Sequence, residues 1–471
     1  MKDIEALYRK PLELAAERAL SFVAGLERGS VRATLDLATL RGRLSKPLSN
    51  DGLPPEDVVR ELVQDVEGAL TGSAGGRFFG WVIGGSVPAA LACDWLASAW
   101  DQNAAIYATS PAAAVAEEVA GGWLKELLGL PAESSFAFVT GCQMAHTTCL
   151  AAARHALLAQ RNWDVERRGL FGAPPVRIVT SDQRHGTVER TARLLGLGLS
   201  QIQVIPSDPQ GTLRVGDLRK ALESNRDSPT IVLLQAGDVN TGAFDPFDSL
   251  IPVAKEFGAW VHVDGAFGMW TAASPRYRHL VQGIDGADSW ATDGHKWLNV
   301  PYDSGYAFVR DERSHLASMS HHESYMISQA GARDEMDWNP EFSRRARGFP
   351  TYAAIRQLGR SGIARLVERC CDLAKSLVTG IGELAGAEVV SAPVINQGLV
   401  RFLDPRPGAS PADHDRRTDQ VIEAIDAGGE AFFGGTTWRG RRAMRVSVSG
   451  WQTTEADVQR VVGAVAAALK S

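Results

Sequence analysis

The chain reads as an α/β protein: a mainly parallel seven-stranded sheet flanked by helices, followed by a small C-terminal α/β domain. Two observations predict this. Seven short apolar runs recur at residues 136–139, 176–180, 202–205, 230–235, 260–264, 289–292 and 305–309. Helical periodicity over stretches such as 147–158 and 188–195 separates several of them, and this alternation marks a parallel sheet covered on both faces. Beyond about Ser361 the rhythm loosens. A long helix (363–384) leads to strands near 388–390, 398–402 and 444–449, then to a final helix over 454–469. That second pattern predicts a separate, smaller α/β unit.

Ahead of the sheet, residues 1–72 are helical in pattern, with an acidic helix over 54–70 introduced by the turn S-N-D-G-L-P-P. Such a segment serves either assembly or as a cap on its own domain. The expected divisions are 1–75, 76–362 and 363–471. At 471 residues, with 45% hydrophobic and 22% charged residues, the chain has ordinary globular composition and length for a large core. A formal charge of −6, with no basic stripe, disfavours a nucleic-acid partner. The five cysteines are odd in number and lack zinc or disulfide spacing, so a reduced, cytoplasmic setting is expected. The first 28 residues carry Asp3, Glu5, Glu13 and Glu17, unlike a signal peptide, and no apolar run reaches spanning length.

The chemistry concentrates in A-W-V-H-V-D-G-A-F-G (259–268) and D-S-W-A-T-D-G-H-K-W-L-N (288–299). The first run is a covered strand ending in a carboxylate, Asp264, and the second a short strand ending in Gly294-His295-Lys296-Trp297. Ligands of open α/β sheets bind beyond the carboxyl ends of the strands, so an acid and an amine arrive at one crevice. A lysine for covalent attachment and a carboxylate against a pyridine nitrogen are what pyridoxal 5'-phosphate requires. Taken alone, the pair suits a buried ion pair equally well. The run F-V-T-G-C-Q-M-A-H-T-T (138–148) reads as strand, glycine turn and helix start, whose amides at Gly141, Cys142 and Gln143 suit a phosphate. Nothing in the sequence supplies a base that would make Cys142 a nucleophile. The glycine cluster G-G-R-F-F-G-W-V-I-G-G-S-V-P (75–88) lacks the strand and helix context of a dinucleotide site. His321 and His322 have no evident third ligand, and no metal is expected.

These words closely resemble the group II pyridoxal phosphate-dependent decarboxylases, relatives of the aromatic amino acid, histidine and glutamate decarboxylases. V-H-V-D-G-A-F-G matches the family's H-x-D-A-A, and S-W-A-T-D-G-H-K-W matches its S-x-x-x-x-x-H-K-W. The resemblance extends from about Arg77 to Trp451 and implies the aspartate aminotransferase-like fold (fold type I). It also implies a homodimer with shared active sites, its N-terminal segment embracing the partner subunit, and decarboxylation of an L-amino acid to an amine and carbon dioxide. An aldehyde synthase, carbon–carbon lyase or aminotransferase on the same fold would keep the same acid and lysine, and so would a catalytically silent relative.

By this resemblance Lys296 carries the cofactor and Asp264 meets its ring nitrogen, with Ala266 beneath the ring. His185, in S-D-Q-R-H-G-T-V-E-R, stacks on the other ring face, a role beyond the structural one that a lone histidine usually has. Gln235 stands near the ring hydroxyl, while Asp238 and Asn240 shape its turn. Ser289 and His295 add phosphate contacts. Asp293 stands where relatives often have Asn, so it is expected to turn away from a phosphate or meet a cation. The polar segment 314–339 corresponds to a lid loop whose Tyr325 reprotonates the α-carbon; relatives with Phe there tend to be aldehyde synthases. Trp81, Gly84 and Ser343 line the substrate pocket, and Asn103 and Ala105 come to it from the partner. Arg344, Arg345 and Arg347 either anchor a carboxylate or form ion pairs.

Overall fold

The computed structural model describes residues 4–321 and 329–470. Its large sheet contains β1 (Ser135–Val139), β2 (Arg177–Ser181), β3 (Ile202–Ile205), β4 (Thr230–Gln235), β5 (Trp260–Asp264), β6 (Ser289–Asp293) and β7 (Gly305–Val309), in the order β1-β7-β6-β5-β4-β2-β3. β3, β2, β4, β5 and β6 run parallel, whereas β7 is antiparallel to both β6 and β1. The seven expected strands are therefore all present, each within two residues of its predicted ends.

Alternation within β4 shows why such strands read as continuous apolar runs. Val232 and Leu234 pack into a core shared with Phe247, Trp270 and Trp290. Ile231 and Leu233 point the other way, against Ala145, Cys149 and Leu150 of the helix Cys142–Ala159. Both faces are dry, so neither needs polar residues. The same period places Trp260, His262 and Asp264 of β5 on one face, toward the helix Cys142–Ala159, and Val261 and Val263 on the other.

The C-terminal part of the chain holds a four-stranded antiparallel sheet of β8 (Ala387–Ser391), β9 (Gln397–Phe402), β10 (Gly434–Trp438) and β11 (Arg441–Ser447), ordered β10-β11-β9-β8. Strand β10, G-G-T-T-W, is not among the strands expected from the sequence; its paired glycines are depleted in strands and supply no apolar alternation. A helix over Gly348–Gly382 links the two sheets and kinks at Gly359, whose φ of 61° lies outside the helical region. The predicted helix over 363–384 is its second half.

At the front, Ile4–Gly25, Leu37–Leu44 and Pro55–Val66 are helical. Ile4–Gly25 buries none of its residues and leaves Ile4, Leu7, Leu12 and Leu20 exposed. Part of the segment expected to be a lid is instead helix, Glu312–Met319, because His315 is buried there between Ser135 and Trp338. No helix among the described residues is long and apolar enough to cross a membrane.

Candidate active site

A cavity of about 610 Å³ opens at the carboxyl ends of β4, β5 and β6, where the topology of an open α/β sheet places a ligand. Lys296, Asp264, Ala266, His185, Gln235, His295 and the turn Gly141–Gln143 all line it, as does Trp81. Residues from six separate stretches of sequence thus meet in one chamber.

Lys296 follows β6 by three residues and sits 3.0 Å, Nζ to Oδ2, from Asp293. Burial alone would lower its pKa, but the Asp293 carboxylate outweighs this and holds the amine charged, well above the ordinary lysine range. The turn carrying it is braced from below. Asn299, at φ 57°, donates to the carbonyls of Lys296 (3.1 Å), Trp297 (3.1 Å) and Ser449 (2.9 Å). Gly84 packs against the same turn: a Cβ there would lie 2.3 Å from the Lys296 carbonyl oxygen. Gly84 therefore supports the lysine backbone and does not form a pocket wall, which corrects the sequence expectation. Trp81 and Val82 take positive φ, 52° and 73°, as the chain bends over the cavity; for a β-branched valine this is a strained conformation.

Asp264 ends β5 with its carboxylate accepting from the Ala266 amide at 3.2 Å. Burial pushes its pKa up, yet the N–H that His146 offers it and the nearby Lys296 charge hold it well below the ordinary carboxylate range. His146 Nε2 lies 3.5 Å from Asp264 Oδ2. Sequence reading missed His146, although it stands one helical turn beyond Cys142, where i and i+4 share a face. His185 caps the helix Gly186–Leu194, its Nδ1 accepting from the Thr187 amide at 3.3 Å. Desolvation at the cavity mouth lowers its pKa from the ordinary histidine value.

At the phosphate end Asp293 meets a cation, the second of the two expected outcomes: one oxygen pairs with Lys296, while Oδ1 accepts from the Cys142 amide (2.6 Å) at the start of the helix. His295 completes this cluster, Nε2 lying 3.5 Å from Asp293 Oδ1 while Nδ1 accepts from the Ser304 amide at 3.2 Å. The Gln143 side chain points outward to Thr191 Oγ1 (2.8 Å), leaving only its backbone for a ligand. Burial, with Asp293 and Asp264 nearby, pushes the Cys142 thiol well up, so it is neither nucleophile nor thiolate. Cys142, His146 and Asp264 do bring potential ligand atoms within 4.8 Å of one another, but a neutral thiol is a weak metal ligand.

Several expected residues lie elsewhere. Ser289 is corrected: it opens β6 at the far end from the cavity, and its hydroxyl is engaged by Trp260 Nε1 and His262 Nδ1, each at 2.9 Å. Ser343 does not line this chain's cavity: it lies exposed, next to Arg344 whose amide is held by Asn103 Oδ1 (3.1 Å). Tyr325 and His322 lie outside the described residues. The arginines resolve to ion pairs: Arg344 with Glu117, Arg345 with Asp94, Arg347 with Asp303. Asp238 fixes its turn by accepting from the Asn240, Thr241 and Ala243 amides. Arg445, from β11 of the C-terminal sheet, reaches the cavity wall unforeseen. It donates to the Val239 carbonyl at 3.3 Å, and among the described residues no carboxylate lies within ion-pair distance of it.

The ring end fits pyridoxal phosphate: a buried anionic acid, an amine and a histidine share one chamber of adequate size. Amides at the helix start offer a phosphate cradle, shared with Asp293. Comparison with known proteins agrees. Residues 42–403 match the model of the pyridoxal-dependent decarboxylase conserved domain. An aromatic-L-amino-acid decarboxylase from Bacillus atrophaeus is 26% identical over 453 residues, covering 94% of this chain and 92% of the relative. A 4-hydroxyphenylacetaldehyde synthase from Rhodiola rosea is 25% identical over 431 residues, 90% of this chain and 87% of that one. The crystal structure of Oryza sativa TDC with PLP and tryptamine superposes with a TM-score of 0.92 at 24% identity, covering 100% of this chain and 99% of that chain. The chain belongs to the pyridoxal-dependent decarboxylase family and is a pyridoxal phosphate-dependent carboxy-lyase acting on an amino acid.

Proposed function

We propose that Lys296, Asp264 and His185 are the working residues of this decarboxylase, and that Arg445 receives the substrate's carboxylate end. The observation that carries the reading is the shared cavity in which a charged lysine and an ionised buried carboxylate face the same space. When bound, pyridoxal phosphate supplies an electron sink beside the substrate's α-carbon.

The protein's own part is to attach, orient and manage protons. Lys296 provides the amine for covalent attachment and, being mobile on a four-carbon stem, gives way to the substrate amine. Asp264 holds a proton on the ring nitrogen by offering a fixed negative charge in a dry setting, where such charges act strongly. His185 and Ala266 bound the ring on its two faces. Arg445, cationic and with no carboxylate within ion-pair distance among the described residues, suits one end of an amino acid. Asp293 is the departure: two anions at one helix start repel, so its bond to the Cys142 amide has to be shared or yielded.

Tyr325, by resemblance, returns the proton to the α-carbon once carbon dioxide has left. A homodimer in the cytoplasm fits the same reading. The uncovered apolar positions of the helix Ile4–Gly25 suit a partner subunit, and Asn103 and Ala105, outside this chain's own cavity, suit its neighbour's. The second reading, aldehyde synthesis, is favoured by the Rhodiola rosea relative and disfavoured by a tyrosine at 325. A panel of amino acids assayed for carbon dioxide, amine, aldehyde and keto acid separates them. Amine with carbon dioxide is expected from the wild type, with a shift toward aldehyde in Tyr325→Phe. Keto acid without carbon dioxide would overturn the reading.

A further inference from the structure

Behind Asp264 runs a buried chain of polar side chains that the site's chemistry has not yet used. Trp260 Nε1 lies 2.9 Å from Ser289 Oγ, which lies 2.9 Å from His262 Nδ1. His262 Nε2 then lies 2.8 Å from His146 Nδ1, and His146 Nε2 faces Asp264 Oδ2 at 3.5 Å. His146, His262 and Ser289 are completely buried, and His146 Nε2 has no closer partner among the described residues. Strand alternation builds the ladder: Trp260, His262 and Asp264 share one face of β5, and Ser289 of β6 is the register partner of His262.

The two ends fix its direction. An indole N–H can only donate and a carboxylate can only accept. Trp260 therefore donates to Ser289 Oγ. To satisfy Asp264, His146 carries its hydrogen on Nε2, which makes Nδ1 an acceptor. His262 must then carry its hydrogen on Nε2 and accept at Nδ1 from the Ser289 hydroxyl. Both rings are neutral in this arrangement, and each of the three close contacts has one hydrogen. Burial moves the His262 pKa well down. The remaining titratable groups close by are His185, Lys296 and the thiols of Cys142 and Cys149. Burial pushes the Cys149 thiol up to about 12, so it stays protonated.

We propose that His146 and His262, backed by Ser289 and Trp260, are positioning residues: a one-way relay that turns a single N–H toward Asp264 and keeps that carboxylate an acceptor for the cofactor's ring nitrogen. No proton has to travel along it. Its work is to prevent His146 from turning a lone pair on Asp264, which would repel the anion and favour its protonation. The inference rests on Asp264 meeting the ring nitrogen, and the test separates the two.

Nitrogen-15 NMR of the histidines in cofactor-free wild type should show both rings neutral with hydrogen on Nε2. A charged ring, or His262 with hydrogen on Nδ1, would overturn the relay. In the holoenzyme loaded with ring-labelled pyridoxal phosphate, His262→Leu and Ser289→Ala should lose the ring proton at lower pH than wild type. Their kcat should fall about tenfold or more with KM little changed, the scale seen when an outer partner orienting a functional group is removed. Ser289→Thr, which keeps the hydroxyl, should recover much of what Ser289→Ala loses. If His262→Leu does not fold, the two serine variants decide. Unchanged ring protonation and kcat in Ser289→Ala would overturn the proposal. Asp264→Asn is the control: if it leaves the ring signal unmoved, the assignment of Asp264 fails; if only the relay variants leave it unmoved, the relay alone fails.

Discussion

Two groups of buried charged side chains lie at opposite ends of the large sheet's usefulness. Around β1, Arg344 is closed in: its guanidinium meets both oxygens of Glu117 (2.7 and 3.0 Å) and the carbonyls of Ala104 and Phe138 (2.8 and 2.7 Å). His315 nearby is likewise tied at both nitrogens, to Ser135 Oγ and to the Trp338 carbonyl. At the ends of β5 and β6, by contrast, Lys296, Asp293 and Asp264 pair only partly with one another and face an open chamber. Burial and charge are common to both groups. Spare bonding capacity turned toward a cavity is what marks the second as a site, and its absence marks the first as scaffold.

The comparison breaks most sharply on replacing one lysine. Lys296→Ala should lower decarboxylation by about 10³-fold or more, as expected for a residue attached to the cofactor, while leaving the melting temperature of the cofactor-free protein nearly unchanged. A large fall in that melting temperature would place Lys296 with the scaffold instead. Glu117→Gln should do the reverse. Stranding the Arg344 charge costs about 3–5 kcal/mol of stability, read as a lowered denaturation midpoint, with borohydride labelling of Lys296 retained in the folded fraction. An unchanged midpoint would show that the buried pair contributes little.

His315 sharpens the same contrast through pH. Burial holds its pKa down to about 3, from an ordinary 6.5, despite the Trp338 carbonyl that it contacts. The unfolded ring binds a proton where the folded one does not, so this contribution is whole above pH 6.5 and is lost as pH falls toward 3. The slope it adds is at most about 1.4 kcal/mol per pH unit. His315→Gln should flatten acid unfolding in that window; an unaltered slope would assign the loss to other groups. The smallest effect is expected at Asp293. Asp293→Asn removes an anion beside the phosphate cradle and should tighten pyridoxal phosphate binding by roughly 1–4 kcal/mol, the range for two charges about 4 Å apart in partly hydrated surroundings. Weaker binding in a cofactor titration would mean that pairing with Lys296 matters more than repulsion.

Much of this was legible in the sequence for a simple reason. Buried parallel strands must be apolar throughout, so a carboxylate at the end of one, as in V-H-V-D, stands out against its background, and so does the lysine three residues beyond β6. What escaped notice depends on three-dimensional neighbours. His146 and His262 are single histidines in apolar stretches, and nothing local says that their nitrogens meet. Ser289 lies on the correct face of β6 but at the wrong end, a distinction of strand length that the motif alone does not carry. Gly84 was placed on the pocket side, whereas its lack of a side chain answers to the Lys296 backbone. Arg445 comes from a second sheet, about 150 residues beyond the lysine, and no periodicity links the two.

The central claim is that Lys296, and no other amine of the chain, holds the cofactor. Borohydride reduction of the holoenzyme followed by peptide mass spectrometry tests it directly. A phosphopyridoxyl group on the peptide containing Gly294-His295-Lys296-Trp297 is the predicted result; its absence there, or its presence on a different lysine, would contradict the account.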